Sequence, residues 1–118
     1  MTRISLLIGA LVTALALAAP TGAMGPTKLK GTVGPGFTIT LKKGTAAVKT
    51  LTAGSYSITV SDKSNIHNFH LKGPGLNKQI TPVAFVGTKT VTVKLKKGKY
   101  TYVCDPHASS MHGSFTVK

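Results

Sequence analysis

The sequence predicts a single all-β domain built as a β-sandwich. Apolar residues alternate with polar ones along several short segments, Gly and Pro turns separate these segments, and no window has the period of an amphipathic helix. With 118 residues, 42% hydrophobic and 14% charged, the chain fits one compact domain rather than a disordered polycation. About seven or eight short strands are expected, enough for two sheets packed face to face.

The N-terminal segment, residues 1–23, has the pattern of a secretory signal peptide. Residues 4–19 carry no charge and are rich in Leu and Ala. This run has the length of a signal-peptide apolar region and is short for a membrane span. We expect cleavage near Ala19 or Ala23 and a mature domain over residues 24–118 that is not inserted in the membrane. The mature domain would be located in the periplasm, at the cell surface or in the extracellular space. The alternative is that the N-terminal segment is not cleaved and spans the membrane in a tilted orientation.

Strong positive charge marks the rest of the chain. Without the signal segment and its Arg3, 14 lysines face only Asp62 and Asp105, a net charge of +12. Two carboxylates exclude most paired-carboxylate hydrolases and carboxylate-rich Ca²⁺ or Mg²⁺ sites. Lysine suits solubility and diffuse steering better than bidentate recognition of bases, so we expect acidic partners or an anionic cell surface and no nucleic acid. Most lysines are also explained as a solvated surface that protects strand edges.

Alternation of apolar and polar residues identifies the strands in order. Apolar side chains recur at every second position, as along a half-buried strand, at residues 37–41, 56–60, 91–95 and 115–117. In the first of these segments Phe37, Ile39 and Leu41 are the inward residues. Turn signals separate the segments at residues 34–36, 43–44, 53–54, 73–75 and 97–98.

The single cysteine, Cys104, points to a metal site. It cannot form an internal disulfide, and a free thiol in an oxidising compartment is vulnerable unless it is buried or bonded. His107 and Met111 follow it at spacings of three and four residues, in a loop between two alternating segments. Thiolate, imidazole and thioether are soft to borderline ligands that together suit copper. A second histidine, His67, is the candidate that completes the set from the middle of the chain.

Each candidate ligand also has an ordinary structural explanation. A lone Cys is often a small buried apolar residue and a lone Met often fills a core gap, but four such coincidences at these spacings are improbable. His70 lies three residues from His67, so on a regular strand it faces the other side and is expected to be structural or at the surface. His112 is expected to be a bystander. Zinc is the competing metal, yet it prefers four strong ligands and a thioether is a poor one.

This combination of residues resembles the cupredoxins, the small blue-copper proteins such as plastocyanin, pseudoazurin, amicyanin and azurin. The resemblance rests on His-Asn at 67–68 and on Cys-x-x-His-x-x-x-Met-x-Gly at 104–113, and it covers roughly residues 31–118. Plastocyanin-like loops usually have four residues between the histidine and the methionine and amicyanin-like loops two, whereas this chain has three. The resemblance implies a cupredoxin-like Greek-key β-sandwich.

The resemblance also implies the role of each residue. His67, Cys104 and His107 would be the strong copper ligands, Met111 the weak axial one, and Asn68 a hydrogen-bonding partner of the ligand loop. His107 would be the electron port, edged by apolar residues that include Ala108, Pro74 and Pro82.

Electron transfer is the function that this site implies. We expect an exported, monomeric, mononuclear type 1 copper protein that carries single electrons between redox protein partners with acidic docking faces. A filled coordination sphere leaves no position for a substrate, so the protein is not expected to be an enzyme. Copper sequestration or delivery with the same ligands is the alternative, and a cationic surface module without metal is a third possibility.

Overall fold

The computed structural model describes residues 25–118, and these form ten strands in two five-stranded sheets. The prediction of an all-β sandwich is confirmed. The strands are β1 Thr27–Val33, β2 Ile39–Lys43, β3 Ala46–Ala47, β4 Thr50–Leu51, β5 Gly54–Asp62, β6 Phe69–Gly73, β7 Leu76–Thr81, β8 Gly87–Leu95, β9 Gly98–Val103 and β10 His112–Val117.

The strand count exceeds the expected seven or eight. Strands β3 and β4 have two residues each, which is too short to produce an alternating pattern in the sequence. The signal peptide assigned to residues 1–23 lies outside the described residues. Between residues 25 and 118, no helix is both long enough and apolar enough to cross a bilayer.

The chain passes five times between the two sheets. One sheet has the order β3-β2-β1-β5-β8 and the other β4-β10-β9-β6-β7. The crossings therefore follow β3, β4, β5, β7 and β8. Strand β1 runs parallel to β5 and β4 parallel to β10, whereas the other neighbours are antiparallel.

The core lies between the sheets and is built from the inward residues of each strand. In β5, Tyr56, Ile58 and Val60 are at most 4% exposed, as their alternation predicts. The prediction for Phe37 was wrong, because this side chain is 61% exposed. Strand β2 begins only at Ile39, so Phe37 belongs to the loop that precedes the strand and is free of its alternation.

Gly113 has a packing role in β10. It is the second residue of β10 and pairs with Tyr102 of β9. A Cβ atom at this position would lie 2.3 Å from the Tyr102 ring, so any larger residue would displace the ring. Tyr102 in turn stacks on Phe69 with the ring centroids 5.7 Å apart. The glycine thus makes room for an aromatic pair directly beneath the loop that follows β9.

Candidate metal centre

The register of the strands brings the candidate residues to one end of the sandwich. Val33 at the end of β1 pairs with Asp62 at the end of β5, and Phe69 at the start of β6 pairs with Thr81 at the end of β7. Val103, the last residue of β9, pairs with the first residue of β10. The β5–β6 crossing and the β9–β10 loop therefore meet at this end.

The loop between β9 and β10 is folded back on itself by its own backbone. Asp105–His107 forms a 3₁₀ helix with a proline in its first turn, which suits proline because its φ is fixed and it needs no amide donor there. The His107 amide donates to the Cys104 carbonyl at 3.1 Å, and the Met111 amide donates to the His107 carbonyl at 2.8 Å. The Cys104 amide donates to the Met111 carbonyl at 3.0 Å. These bonds hold all three side chains around one point.

Three potential ligand atoms converge at this point. The Cys104 Sγ atom lies 3.6 Å from the Nδ1 atoms of both His67 and His107, and these two nitrogens are 3.1 Å apart. A point equidistant from all three is about 2.0 Å from each, close to the roughly 2.0–2.3 Å of metal–nitrogen and metal–sulfur bonds in proteins. The triangle therefore has the size needed to hold one metal ion. Within residues 25–118, this is the group of His, Cys and carboxylate residues that could hold one.

Burial and donor chemistry favour copper in this triangle. Cys104, His67 and Met111 are fully buried, and His107 is half-buried. The Met111 backbone is hydrogen-bonded to those of Cys104 and His107, so a buried thioether side chain belongs to the same loop as the thiol and one imidazole. Soft sulfur with imidazole nitrogen suits copper, whereas a structural zinc site would take a fourth strong ligand.

Asn68 fastens the ligand loop to the second sheet. Its Oδ1 atom accepts from the Asp105 amide at 2.7 Å, and its Nδ2 group donates to Asp105 Oδ2 and Gln79 Oε1, both at 2.8 Å. Asn68 is fully buried, so a buried side chain anchors the exposed Asp105. The hydrogen bonding that the family resemblance implied for Asn68 is present, and it acts on the residue next to Cys104.

His70 and His112 lie outside the cluster, as the sequence predicted. His70 contacts Asp105 Oδ2 through Nδ1 at 2.8 Å, and His112 Nδ1 donates to the Ala108 carbonyl at 2.9 Å. Partial burial tends to raise the pKa of Asp105. Hydrogen bonds from Asn68 and His70, with the positive charges nearby, outweigh burial and leave that pKa below its usual value. Both histidines thus brace the ligand loop.

Phe37 covers the cluster, a role that no local pattern in the sequence indicates. Its ring meets His67 and His107 edge-on, with centroids 5.3 Å and 4.9 Å apart. The other face of the ring is open to solvent. A single aromatic residue after a Gly-Pro-Gly turn has the same local pattern whether it packs inward or over a site, so only the tertiary structure distinguishes the two.

The predicted apolar rim is partly wrong. Ala108 and Pro82 are exposed, and both lie at the cluster end, in the ligand loop and directly after Thr81. Pro74 lies at the opposite end, because its carbonyl accepts from the Tyr100 hydroxyl at 2.8 Å and its ring packs against Gly98, where β9 begins. A turn signal in the sequence does not reveal which end of a sandwich the turn occupies.

Comparison with known proteins finds one family and one fold. The sequence pattern of the copper binding proteins of the plastocyanin/azurin family matches residues 32–118. Rusticyanin from Thiobacillus ferrooxidans is similar in structure, with 23% identity and a TM-score of 0.57 over 80% of this chain and 79% of that chain. Reduced rusticyanin gives 23% identity and a TM-score of 0.56 over 80% and 82% of the two chains.

A chain of a heme-copper terminal oxidase dimer has the same fold. It is 21% identical with a TM-score of 0.54, and the match covers 77% of this chain and 63% of that chain. No curated protein sequence matches the chain at a significant level.

Proposed function

Since this chain belongs to the plastocyanin/azurin family of copper-binding proteins, we propose that it carries single electrons between redox partners. The family match spans residues 32–118 and so includes every member of the cluster. The likeness to rusticyanin supports the cupredoxin fold. Copper is therefore the metal of this site, and when bound it supplies a one-electron couple between Cu(II) and Cu(I).

The proposed ligands are His67, Cys104 and His107, with Met111 as a weaker fourth. The observation that carries this assignment is the nearly equilateral triangle of one sulfur and two nitrogens, with sides of 3.1–3.6 Å. Three strong ligands and a weak one give a geometry between those preferred by the two oxidation states, so little has to move when an electron arrives or leaves.

Electron transfer fits the surroundings of the site better than catalysis. The backbone bonds within the loop and the Asn68 side chain hold the ligands in place, which limits the rearrangement that accompanies a change of oxidation state. The four side chains fill the coordination sphere, and His70 and His112 are engaged in bonds to Asp105 and the loop backbone. We therefore propose that the chain is not itself an enzyme.

Electrons would enter and leave through His107. It is the half-buried member of the cluster, and Phe37, Ala108 and Pro82 provide exposed apolar surface beside it. Redox partners usually meet over small, transient interfaces. The lysine excess would favour partners with acidic faces, at rates that fall as ionic strength rises. No second copy is needed to complete the site, so the chain would act as a monomer.

Export is proposed from the N-terminal segment. Residues 1–23 have the pattern of a signal peptide, and an exported copper site avoids the reducing cytosol. The mature domain would then work in the periplasm, at the cell surface or outside the cell.

Visible absorption of the Cu(II)-loaded domain tests the proposed function. We expect an intense thiolate-to-copper band that ascorbate removes and that reoxidation restores. The Cys104→Ser variant should lack the band. Ser110→Ala, in the same loop, is the matched control and should keep it, because the Ser110 side chain makes only a long 3.4 Å contact to the His107 carbonyl. A band that survives in Cys104→Ser, or no band in the unmodified domain, contradicts the proposal.

Copper sequestration or delivery is the competing function for the same ligands. A carrier must release its metal to an acceptor, whereas an electron carrier keeps it through many redox cycles. Mixing the Cu(I) protein with a strong Cu(I) chelator distinguishes the two. Retention of copper over repeated oxidation and reduction supports electron transfer, and rapid release supports delivery.

A further inference from the structure

Two buried polar atoms at the cluster end have no hydrogen-bond partner. Among the described residues they are Asp62 Oδ2 and His67 Nε2, on side chains that are 1% and 0% exposed. A buried polar atom without a partner destabilises a protein by roughly 1–3 kcal/mol, so such atoms are rare. Two of them at one end of a small sandwich indicate a shared cause.

The two side chains lie near the same turn. Asp62 is the last residue of β5, and its Oδ1 atom accepts from the Ser64 amide at 3.3 Å. A Cβ atom added to Gly34 would lie 3.1 Å from both Ser64 Cβ and His67 Cδ2. Since Cδ2 is bonded to Nε2, this edge of the imidazole ring is turned towards the Asp62–Ser64 turn and away from the ligand cluster.

The electrostatics of Asp62 agree with this placement. Burial raises the pKa of the Asp62 carboxyl, and Thr81, the Ser64 amide and the nearby His67 ring oppose that rise. The Thr81 hydroxyl accepts from the Phe69 amide at 3.1 Å and lies near the Asp62 carboxyl, but no hydrogen bond of ordinary length joins it to Oδ2. The His67 ring is thus close enough to act on the charge of Asp62, although no direct hydrogen bond joins them.

The hydrogen-bonding roles of the two atoms are complementary. His67 Nδ1 belongs to the ligand triangle, so its lone pair faces the metal and the ring hydrogen lies on Nε2. Nε2 is then a donor and the Asp62 carboxylate oxygen an acceptor. A buried donor and a buried acceptor that lie near each other without a direct bond suit an internal water.

We propose that Asp62 is a positioning residue for the copper ligand His67 and acts through one internal water. The water accepts the Nε2 hydrogen of His67 and donates to Asp62 Oδ2. Partners of this kind fix the orientation and tautomer of a ligating histidine and increase its basicity. The role of His67 as ligand rests on the proposed function, whereas the water itself does not depend on bound copper.

A purely structural role for Asp62 makes a different prediction. Capping the Asp62–Ser64 turn uses Oδ1 alone, and an asparagine would provide that oxygen equally well. Asp62→Asn therefore keeps the turn and the shape of the side chain, but it replaces the acceptor at Oδ2 with a donor that cannot take a hydrogen from the water. The matched control is Thr59→Val, which removes a polar side chain from the outward face of the same strand, where Thr59 contacts Thr90, and leaves the Nε2 side of His67 untouched.

Proton NMR of the diamagnetic Cu(I) protein reads out the bond at Nε2. We expect exchange of the His67 Nε2 hydrogen with solvent to become at least tenfold faster in Asp62→Asn and to stay unchanged in Thr59→Val. The reduction potential of Asp62→Asn should also move upward, because a negative charge near the metal favours Cu(II). Equal exchange rates in Asp62→Asn and the unmodified protein would overturn the proposal.

A high-resolution crystal structure of the copper-free, unmodified protein tests the water without any variant. The expected result is one ordered water about 2.7–3.2 Å from both Asp62 Oδ2 and His67 Nε2. An empty space, or Nε2 bonded to a backbone carbonyl, would overturn it. The test is independent of the copper proposal, whose failure would appear instead as a missing thiolate-to-copper band.

Discussion

The two ends of the sandwich are built from different chemistry. The ligand end contains every buried polar or charged residue of the described chain, namely Asp62, His67, Asn68 and Thr81, together with the free thiol of Cys104. At the other end Tyr100 stacks on Phe115 with centroids 5.4 Å apart, and its hydroxyl donates to the Pro74 carbonyl at 2.8 Å and accepts from the Lys96 amide at 2.9 Å.

This contrast separates stability from function along the length of one small domain. Apolar packing stabilises a fold directly when the polar atoms at the ends of the packed side chains are hydrogen-bonded. Buried ionisable groups destabilise it unless they are fully bonded, so their concentration beside the ligands indicates that function placed them there. Changes at the Tyr100 end should therefore alter stability and leave the copper chemistry intact, and changes at the ligand end should alter the copper chemistry.

The largest expected loss of stability is that of Tyr100→Ala. Tyr100 is fully buried and fills space against Phe115 and Gly73, so we expect a loss of about 3–5 kcal/mol in the free energy of unfolding. Urea unfolding of the copper-free protein measures it. Tyr100→Phe, which keeps the ring and loses only the two hydroxyl bonds, should lose about 1 kcal/mol. A changed copper spectrum in folded Tyr100→Phe would contradict the separation of the two ends.

Asn68→Ala should combine a smaller loss of stability with a loss of copper retention. It removes three hydrogen bonds, two of them to Asp105, and we expect about 2–3 kcal/mol less stability. Without these hydrogen bonds, the ligand loop should release Cu(I) to a chelator faster. Gln79→Ala, which removes one exposed partner, is the control and should stay within about 1 kcal/mol. Unchanged copper release in Asn68→Ala would show that the Asn68 hydrogen bonds do not hold the ligand loop in place.

Asp62→Asn should stabilise the copper-free protein, and the gain should depend on pH. Burial raises the pKa of Asp62 above its ordinary value of 3.8. The folded state therefore holds the proton more tightly, and its contribution to stability is fully present below pH 3.8 and lost as pH rises through the raised pKa. Because Asn does not ionise, the variant should be more stable near neutral pH by about 1 kcal/mol, the scale of one buried polar interaction.

Thermal melts of the copper-free Asp62→Asn and unmodified proteins at several pH values measure this gain. The difference in melting temperature should shrink towards zero as the pH approaches the ordinary Asp value. A difference that grows as pH falls would contradict the raised pKa. If Asp62→Asn is more stable than the unmodified protein and its His67 Nε2 hydrogen exchanges faster, the carboxylate orients His67 although it lowers stability.

Phe37→Ala should have the smallest effect on stability, within about 0.5 kcal/mol, because its side chain is largely exposed. Removing its ring opens the two histidines to water, which favours the more highly charged Cu(II), so the reduction potential should fall. Cyclic voltammetry measures the shift. Val86→Ala truncates a residue of similar exposure, 59%, and should leave the potential unchanged. If Phe37→Ala and Val86→Ala have the same reduction potential, Phe37 does not influence the metal site.

Local sequence patterns predict some of these features and miss others for a physical reason. The alternation in β5 and the spacing of Cys104, His107 and Met111 are local, and a loop returning to an adjacent strand holds side chains at such spacings together. Phe37 and Pro74 were misplaced because the end of the sandwich on which a loop lies depends on strand register. The unpaired atoms of Asp62 and His67 are likewise invisible before the chain folds.

X-ray absorption at the copper edge of the Cu(II)-loaded protein measures the ligand shell itself. We expect one copper per chain with two nitrogens and one short sulfur at about 2.0–2.3 Å, the range of metal–ligand bonds in such sites, and loss of the short sulfur in Cys104→Ser. A shell of nitrogen and oxygen alone in the unmodified protein, or a short sulfur that persists in Cys104→Ser, would contradict a copper ion held by Cys104 between two histidines.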